Sequence, residues 1–238
     1  MKKAFILSLL GIAVIATSAS AEIKFVNSDS EYEEINTSSS TTLTLSGFDA
    51  GKAANTYIVI SVASKLKEDD DNPIISVSFN GTPVPSVASE YVNDSYEGWA
   101  NLYIAPVSGV GDIEVNYLAP TDDEFDAISI SVASYSGVKG IGATSRGAND
   151  PGGPTELSDS ISTTGADSLI VSSLMAAGNS KGSMDGMGDT MVRVDNTEKR
   201  LNNGLLETKA PSAGRYSPGA DFPGQLRASI VSAELLAK

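Results

Sequence analysis

The residues best suited to chemistry in this chain are three groups of acids. Asp69, Asp70 and Asp71 close the run "LKEDDD"; Asp122, Asp123, Glu124 and Asp126 fall in "TDDEFDA"; Asp185 and Asp189 bracket "DGMGD". A hard cation such as Ca2+ takes about six to eight oxygen ligands from carboxylates, backbone carbonyls and water, and needs no nitrogen or sulfur. These acids are therefore candidate metal ligands, and in "DGMGD" the glycines free the backbone to turn carbonyls inward. None of the three follows the spacing of an EF-hand loop. The competing reading is a solvated acidic turn that guards a sheet edge. That reading is favoured for each cluster taken singly, and Ca2+ is the one cofactor expected if the chain binds any.

Other chemistry is narrowed by what the chain lacks. It contains no histidine and no cysteine, which removes Ser-His-Asp and Cys-His catalysis, imidazole metal sites and disulfide frameworks. "GNSKG" matches a nucleophile-elbow pattern, but without a histidine partner Ser180 reads as a surface serine and Lys181 as its solvated neighbour. Glycoside hydrolysis needs only two carboxylates roughly 5 to 10 Å apart, so a hydrolase of that type stays as the third reading. Acids inside strands are scarce, Glu114 being the clearest, and an enzyme is not the expectation. The aromatics of "EYVNDSYEGWANLY" are the remaining candidates: Tyr91, Tyr96 and Trp99 could stack on sugar rings while Asn93 and Asp94 grip hydroxyls. The alternative, favoured for Trp99, is that the lone tryptophan packs into the core.

The elements that must position these residues are strands. Apolar residues alternate in "TTLTLS" (Leu43, Leu45), "IISVSF" (Ile75, Val77, Phe79), "DIEVNY" (Ile113, Val115, Tyr117) and "AISISVAS" (Ile128, Ile130, Val132), each predicting a strand with one buried face. "TYIVISVAS", "SLIVSSLMAA" and "QLRASIVSA" are more continuously apolar or small, as central strands are. Asn80-Gly81 predicts a tight hairpin with positive φ at both residues. Residues 139–164 and 177–190, rich in Gly, Ser, Asp and Pro, read as long surface loops. The fold class expected is all-β, an antiparallel β-sandwich of jelly-roll kind, residues 22–238 forming one domain with a two-part split near 139–164 as the alternative. "ANTYIVISVAS" (54–64) and "ADSLIVSSLMA" (166–176) echo one another. Convergence of two strand entries accounts for the echo more readily than duplication, which stays open.

The opening "MKKAFILSLLGIAVIATSASA" has the charged, apolar and small-residue parts of a secretory signal peptide, with cleavage expected after Ala21. Secretion to the periplasm, cell surface or exterior is the localisation expected, without a transmembrane segment. Sixteen Lys and Arg face 30 Asp and Glu, a net charge of −14, and loss of Lys2 and Lys3 with the leader takes it to −16. Nucleic acid is then a poor partner.

The segments "GFDAGKAANTYIVISVAS", "ISVSFNGTPV", "WANLYIAPVSGVGDIEVNY" and "ISISVASYSGV", in that order, resemble secreted bacterial β-sandwich surface modules of jelly-roll or lectin-like type. The resemblance covers about half of the mature chain; it implies a fold and an extracellular setting and carries over no site residue. The expected function is a non-enzymatic structural or self-associating surface or matrix protein, a filament or coat subunit, stabilised by calcium. The second reading is a carbohydrate-binding or adhesive module. The partner is accordingly a second copy of the chain or an extracellular glycan. In the first reading "EIKFV", at the start of the mature chain, could pair with a neighbour's sheet edge or begin its own sheet.

Overall fold

Alternation in the sequence becomes a core with Leu43, Leu45, Val77, Phe79, Ile113, Val115 and Tyr117 on its inner side. Ile75 departs from the pattern: a register shift between Ile74 and Ser76 turns it outward, 63% exposed, and Ile74 is buried instead. The computed structural model describes residues 22–35, 42–66, 72–92, 97–118, 126–149, 155–177, 182–198, 201–222, 224 and 227–238.

Two sets of strands follow one another along the chain. The first comprises β1 (Lys24–Ile35), β2 (Thr42–Asp49), β3 (Tyr57–Leu66), β4 (Ile74–Phe79), β5 (Thr82–Pro83), β6 (Ser86–Val92), β7 (Glu97–Pro106), β8 (Val110–Tyr117) and β9 (Asp126–Ser136). The second comprises β10 (Val138–Ala148), β11 (Glu156–Ser158), β12 (Ile161–Ser162), β13 (Ser168–Ala177), β14 (Asp185–Gly186), β15 (Thr190–Glu198), β16 (Leu201–Ala210), β17 (Arg215–Tyr216), β18 (Gly219–Asp221) and β19 (Arg227–Ala237). In the first set, a sheet ordered β1-β9-β3-β7-β6 faces one ordered β2-β8-β4-β5. This is an antiparallel jelly-roll sandwich with β6 added to one layer. Asn80 and Gly81 make the expected hairpin between β4 and β5, with φ of 50° and 73°.

The second set repeats the first. Its large sheet runs β10-β19-β13-β16-β15, which assigns the first, last, second, fourth and third long strands to the same places as β1-β9-β3-β7-β6. The opposing layer, β11-β18-β14, likewise places the connections in the order β2-β8-β4 takes, with a separate pair β12-β17 beside it. The two echoing segments are β3 and β13, each at the centre of its sheet. Asn55 and Asp167, at matching points of the echo, both enter their strands with positive φ, 60° and 55°, a conformation that short polar side chains tolerate. The echo is thus a shared turn leading into equivalent strands.

The rolls stack through their five-stranded sheets. The sheet containing β3 is covered on both faces: by its own roll through Ile58, Ile60, Ile128 and Ile130, and by the second roll through Val59, Ala63, Leu102 and Ala133 against Leu205, Val231 and Leu235. Strand β9, read from its alternation as half-buried, therefore has no solvent face; its serines Ser129 and Ser131 are 0% exposed. Further small cores lie beneath the outer layer of the second roll, around Leu174, Leu206 and Phe222 and around Ile161 and Ile170. The Gly-rich stretch 139–164 carries β10, β11 and β12 in its described part, with β10 bonded to β19 through two register shifts.

Candidate functional site

The chemistry with the most definite geometry lies along the seam where the rolls meet. At one end, Tyr135 of β9 donates a 2.7 Å hydrogen bond to Glu207 Oε1 of β16. Arg193 of β15 clasps the same carboxylate in a fork, Nε to Oε1 at 2.5 Å and Nη2 to Oε2 at 2.6 Å. The guanidinium also lies 4.0 Å from the centroid of the Phe25 ring, and Phe25 meets Tyr135 edge-on at 6.2 Å. Burial, reinforced by the Glu207 charge, holds the Tyr135 phenol well above its ordinary pKa, so it stays a proton donor. The hydrogen bond and charge of Glu207 raise Arg193 in turn, against its desolvation. Each roll supplies two of the four side chains, so the cluster fixes one roll upon the other.

Further along, the seam is lined by small polar residues. Ser61 and Ser173 share a 2.6 Å hydrogen bond across it, and Ser61 donates to Asn203 Oδ1 at 2.6 Å. Asn203 Nδ2 returns donations to Ser61 O and Ser129 O at 3.3 and 3.0 Å. These bonds satisfy groups that would otherwise be costly to bury and set the register between the sheets.

Above the Phe25 end, two edge strands lie on the same side of the stack. Strand β1 is paired on one flank, with β9 along its whole length. The "EIKFV" segment thus belongs to the chain's own sheet. Strand β15 is the edge of the second sheet, and its Asn196 Nδ2 donates to Glu31 O of β1 at 3.0 Å. Phe25, Val26 and Met191 remain 41%, 37% and 46% exposed on these two strands, apolar side chains on sheet edges, while Ser30 N and Tyr32 N of β1 donate to Asp29 Oδ1 and Glu31 Oε1.

Of the residues singled out from sequence, Asp69, Asp70, Asp71, Asp122, Asp123, Glu124, Asn93, Asp94, Tyr96, Ser180 and Lys181 lie outside the described residues, and Asp126 is placed by its backbone alone, opposite Ile35. Asp185 is exposed on β14 and paired with Asp221, while Asp189 is exposed in the following turn. Among the described residues no three His, Cys, Asp or Glu side chains gather as a metal site. Tyr91 and Trp99 are directly opposed on β6 and β7, both half-buried, with centroids 5.0 Å apart. Trp99 Nε1 is buried, so the indole presents only part of its ring. Glu114 accepts a long 3.4 Å bond from Ser78 on the outer layer of the first roll.

Sequence reasoning passed over Glu207, Arg193 and Glu234. Glu234, 0% exposed, receives Ala143 N at 3.0 Å, Thr164 N at 3.0 Å, Gly165 N at 2.8 Å, Thr164 Oγ1 at 2.9 Å and Ser168 Oγ at 2.8 Å. Burial pushes its pKa up, but these donors prevail and hold it at about 2. Its signal was an acid within the small and apolar run "SIVSAELLA". No protein-family model matches the chain, and no curated protein is detectably similar to it. The class it joins is defined by its fold, an all-β stack of antiparallel jelly-roll sandwiches.

Proposed function

We propose that the mature chain is a secreted, non-enzymatic structural protein of the cell surface or extracellular matrix that associates with copies of itself. Ca2+ is its stabilising ion, with Asp69, Asp70 and Asp71, Asp122, Asp123, Glu124 and Asp126, and Asp185 and Asp189 as the candidate ligands. The observation that carries this reading is the exposure of Phe25, Val26 and Met191 on two edge strands that meet through Asn196 and Glu31. Apolar side chains on the edge strand of a sheet are a template for pairing with another chain. A charge of −16 opposes such pairing, and bound cations relieve that opposition.

The test is sedimentation velocity of residues 22–238 in millimolar calcium and again with chelator. Larger species are expected with calcium, and they are expected to be lost in the double variant Val26→Lys, Met191→Lys. A monomer of unchanged size in both conditions at high protein concentration overturns self-association.

A further inference from the structure

The two rolls differ at one place where their shared topology calls for the same element. In the first, β4 runs beside β8 and continues through the Asn80-Gly81 hairpin into β5, so the outer layer is continuous. In the second, the strand equivalent to β4 is β14, which bonds to β18 through Asp185 and Gly186 only. The chain then turns away: Met187 N bonds Gly219 O, Thr190 N bonds Met187 O, and Gly188 takes a φ of 56°. The strand equivalent to β8 is itself divided into β17 and β18. A groove of about 390 Å³ occupies the space beside β17, within the range of small-ligand sites.

We propose that this groove is a binding site for a neutral saccharide unit. Tyr216 forms a fixed wall: its ring packs against the Ile161, Ile170 and Ala210 cluster, its hydroxyl donates to Ser212 O at 2.8 Å, and its remaining surface lines the groove. Arg215 is held by a 2.6 Å donation from Nε to Ser160 Oγ. Asp189 is carried into the lining by the Gly188 turn, so a donor and an acceptor of opposite charge share the groove. Beneath them Thr190 and Thr208 hydroxyls meet at 2.8 Å, both largely buried. A pyranose presents an apolar C–H face ringed by hydroxyls that both donate and accept, and this lining offers the complement: one aromatic side chain, one cation, one carboxylate and small hydroxyls. An anionic ligand would meet Asp189 and the protein's negative field. An extended peptide would find in β17 a strand of two residues, too short for a useful main-chain ladder.

The site is independent of self-association and is tested on the monomeric mature chain. Hexasaccharides of glucose, mannose, galactose and xylose are titrated calorimetrically at millimolar concentration. At least one is expected to bind, with affinity falling tenfold or more in Tyr216→Ala and in Asp189→Asn. Asp189 is exposed, so the second variant keeps the fold, and Tyr91→Ala is expected to bind as the parent does. The proposal is overturned if no neutral hexasaccharide binds, or if binding survives both groove substitutions. It is equally overturned if only acidic oligosaccharides or extended peptides are retained.

Discussion

Glu234 shows how backbone and hydroxyl donors can hold a buried charge. Three backbone N–H groups and two hydroxyls donate to its carboxylate, and Gly142 leaves room because any Cβ there would overlap the acid. The folded pKa lies below the ordinary carboxylate value of 4.5, at about 2, so the group stabilises the fold above that ordinary range and ceases to as pH falls towards 2. A displacement of this size corresponds to about 3 kcal/mol. Glu234→Gln removes the charge and sets an amide N–H₂ against the backbone donors; it is expected to cost about that much in urea unfolding at neutral pH. The margin between parent and variant should shrink steadily from about pH 5 to pH 2; a constant margin across this range would sink the assignment. At this scale the sequence was hardest to interpret. An acid in a strand shows its face only once the partner layer is known, and Glu207 and Glu234 face a second sheet and an entry turn that local patterning does not contain.

Strands were far more legible, because period-two alternation and the turn residues are local properties. The central placement of β3 and β13, the Asn80-Gly81 hairpin and the all-β class all follow from such signals. Two features escaped for one reason. The serines of "AISISVAS" read as polar positions for water, yet Ser129 and Ser131 are sealed between sheets, as are Ser61 and Ser173 of the two segments read as central; small hydroxyls suit either environment, and only a second apolar layer decides. The glycines of 139–164 suggested loop, whereas an edge strand with register shifts accommodates Gly140, Gly142 and Gly147. The seam makes a sharp prediction. Ser61→Leu inserts bulk into a closely packed interface and deprives Asn203 of a partner, which is expected to cost about 2–4 kcal/mol. Ser76→Leu, on the exposed face of β4, should change stability by no more than about 0.5 kcal/mol. Equal urea midpoints for the two variants would contradict the packing of the two rolls.

Taken whole, the molecule is two equivalent rolls joined through a single residue, Gly137, between β9 and β10. In each roll the first long strand lies beside the last, β1 on β9 and β10 on β19. Everything that begins or ends a roll therefore meets at one corner: Gly137 passes close to Glu22 O, and Lys238 N bonds Gly137 O at 3.1 Å. This corner has a mechanical meaning. Tension applied at Glu22 and Lys238 would not cross the body; it would open the molecule at this corner and peel the edge strand β1 from β9 one hydrogen bond at a time, the weak direction for a sheet. With optical-trap handles on those residues, the chain should yield at lower force than with handles on Asn80 and Gly214, and a higher force would contradict this account. A material made of such units would gain nothing by being strung end to end, and its strength would have to reside in side-by-side contact.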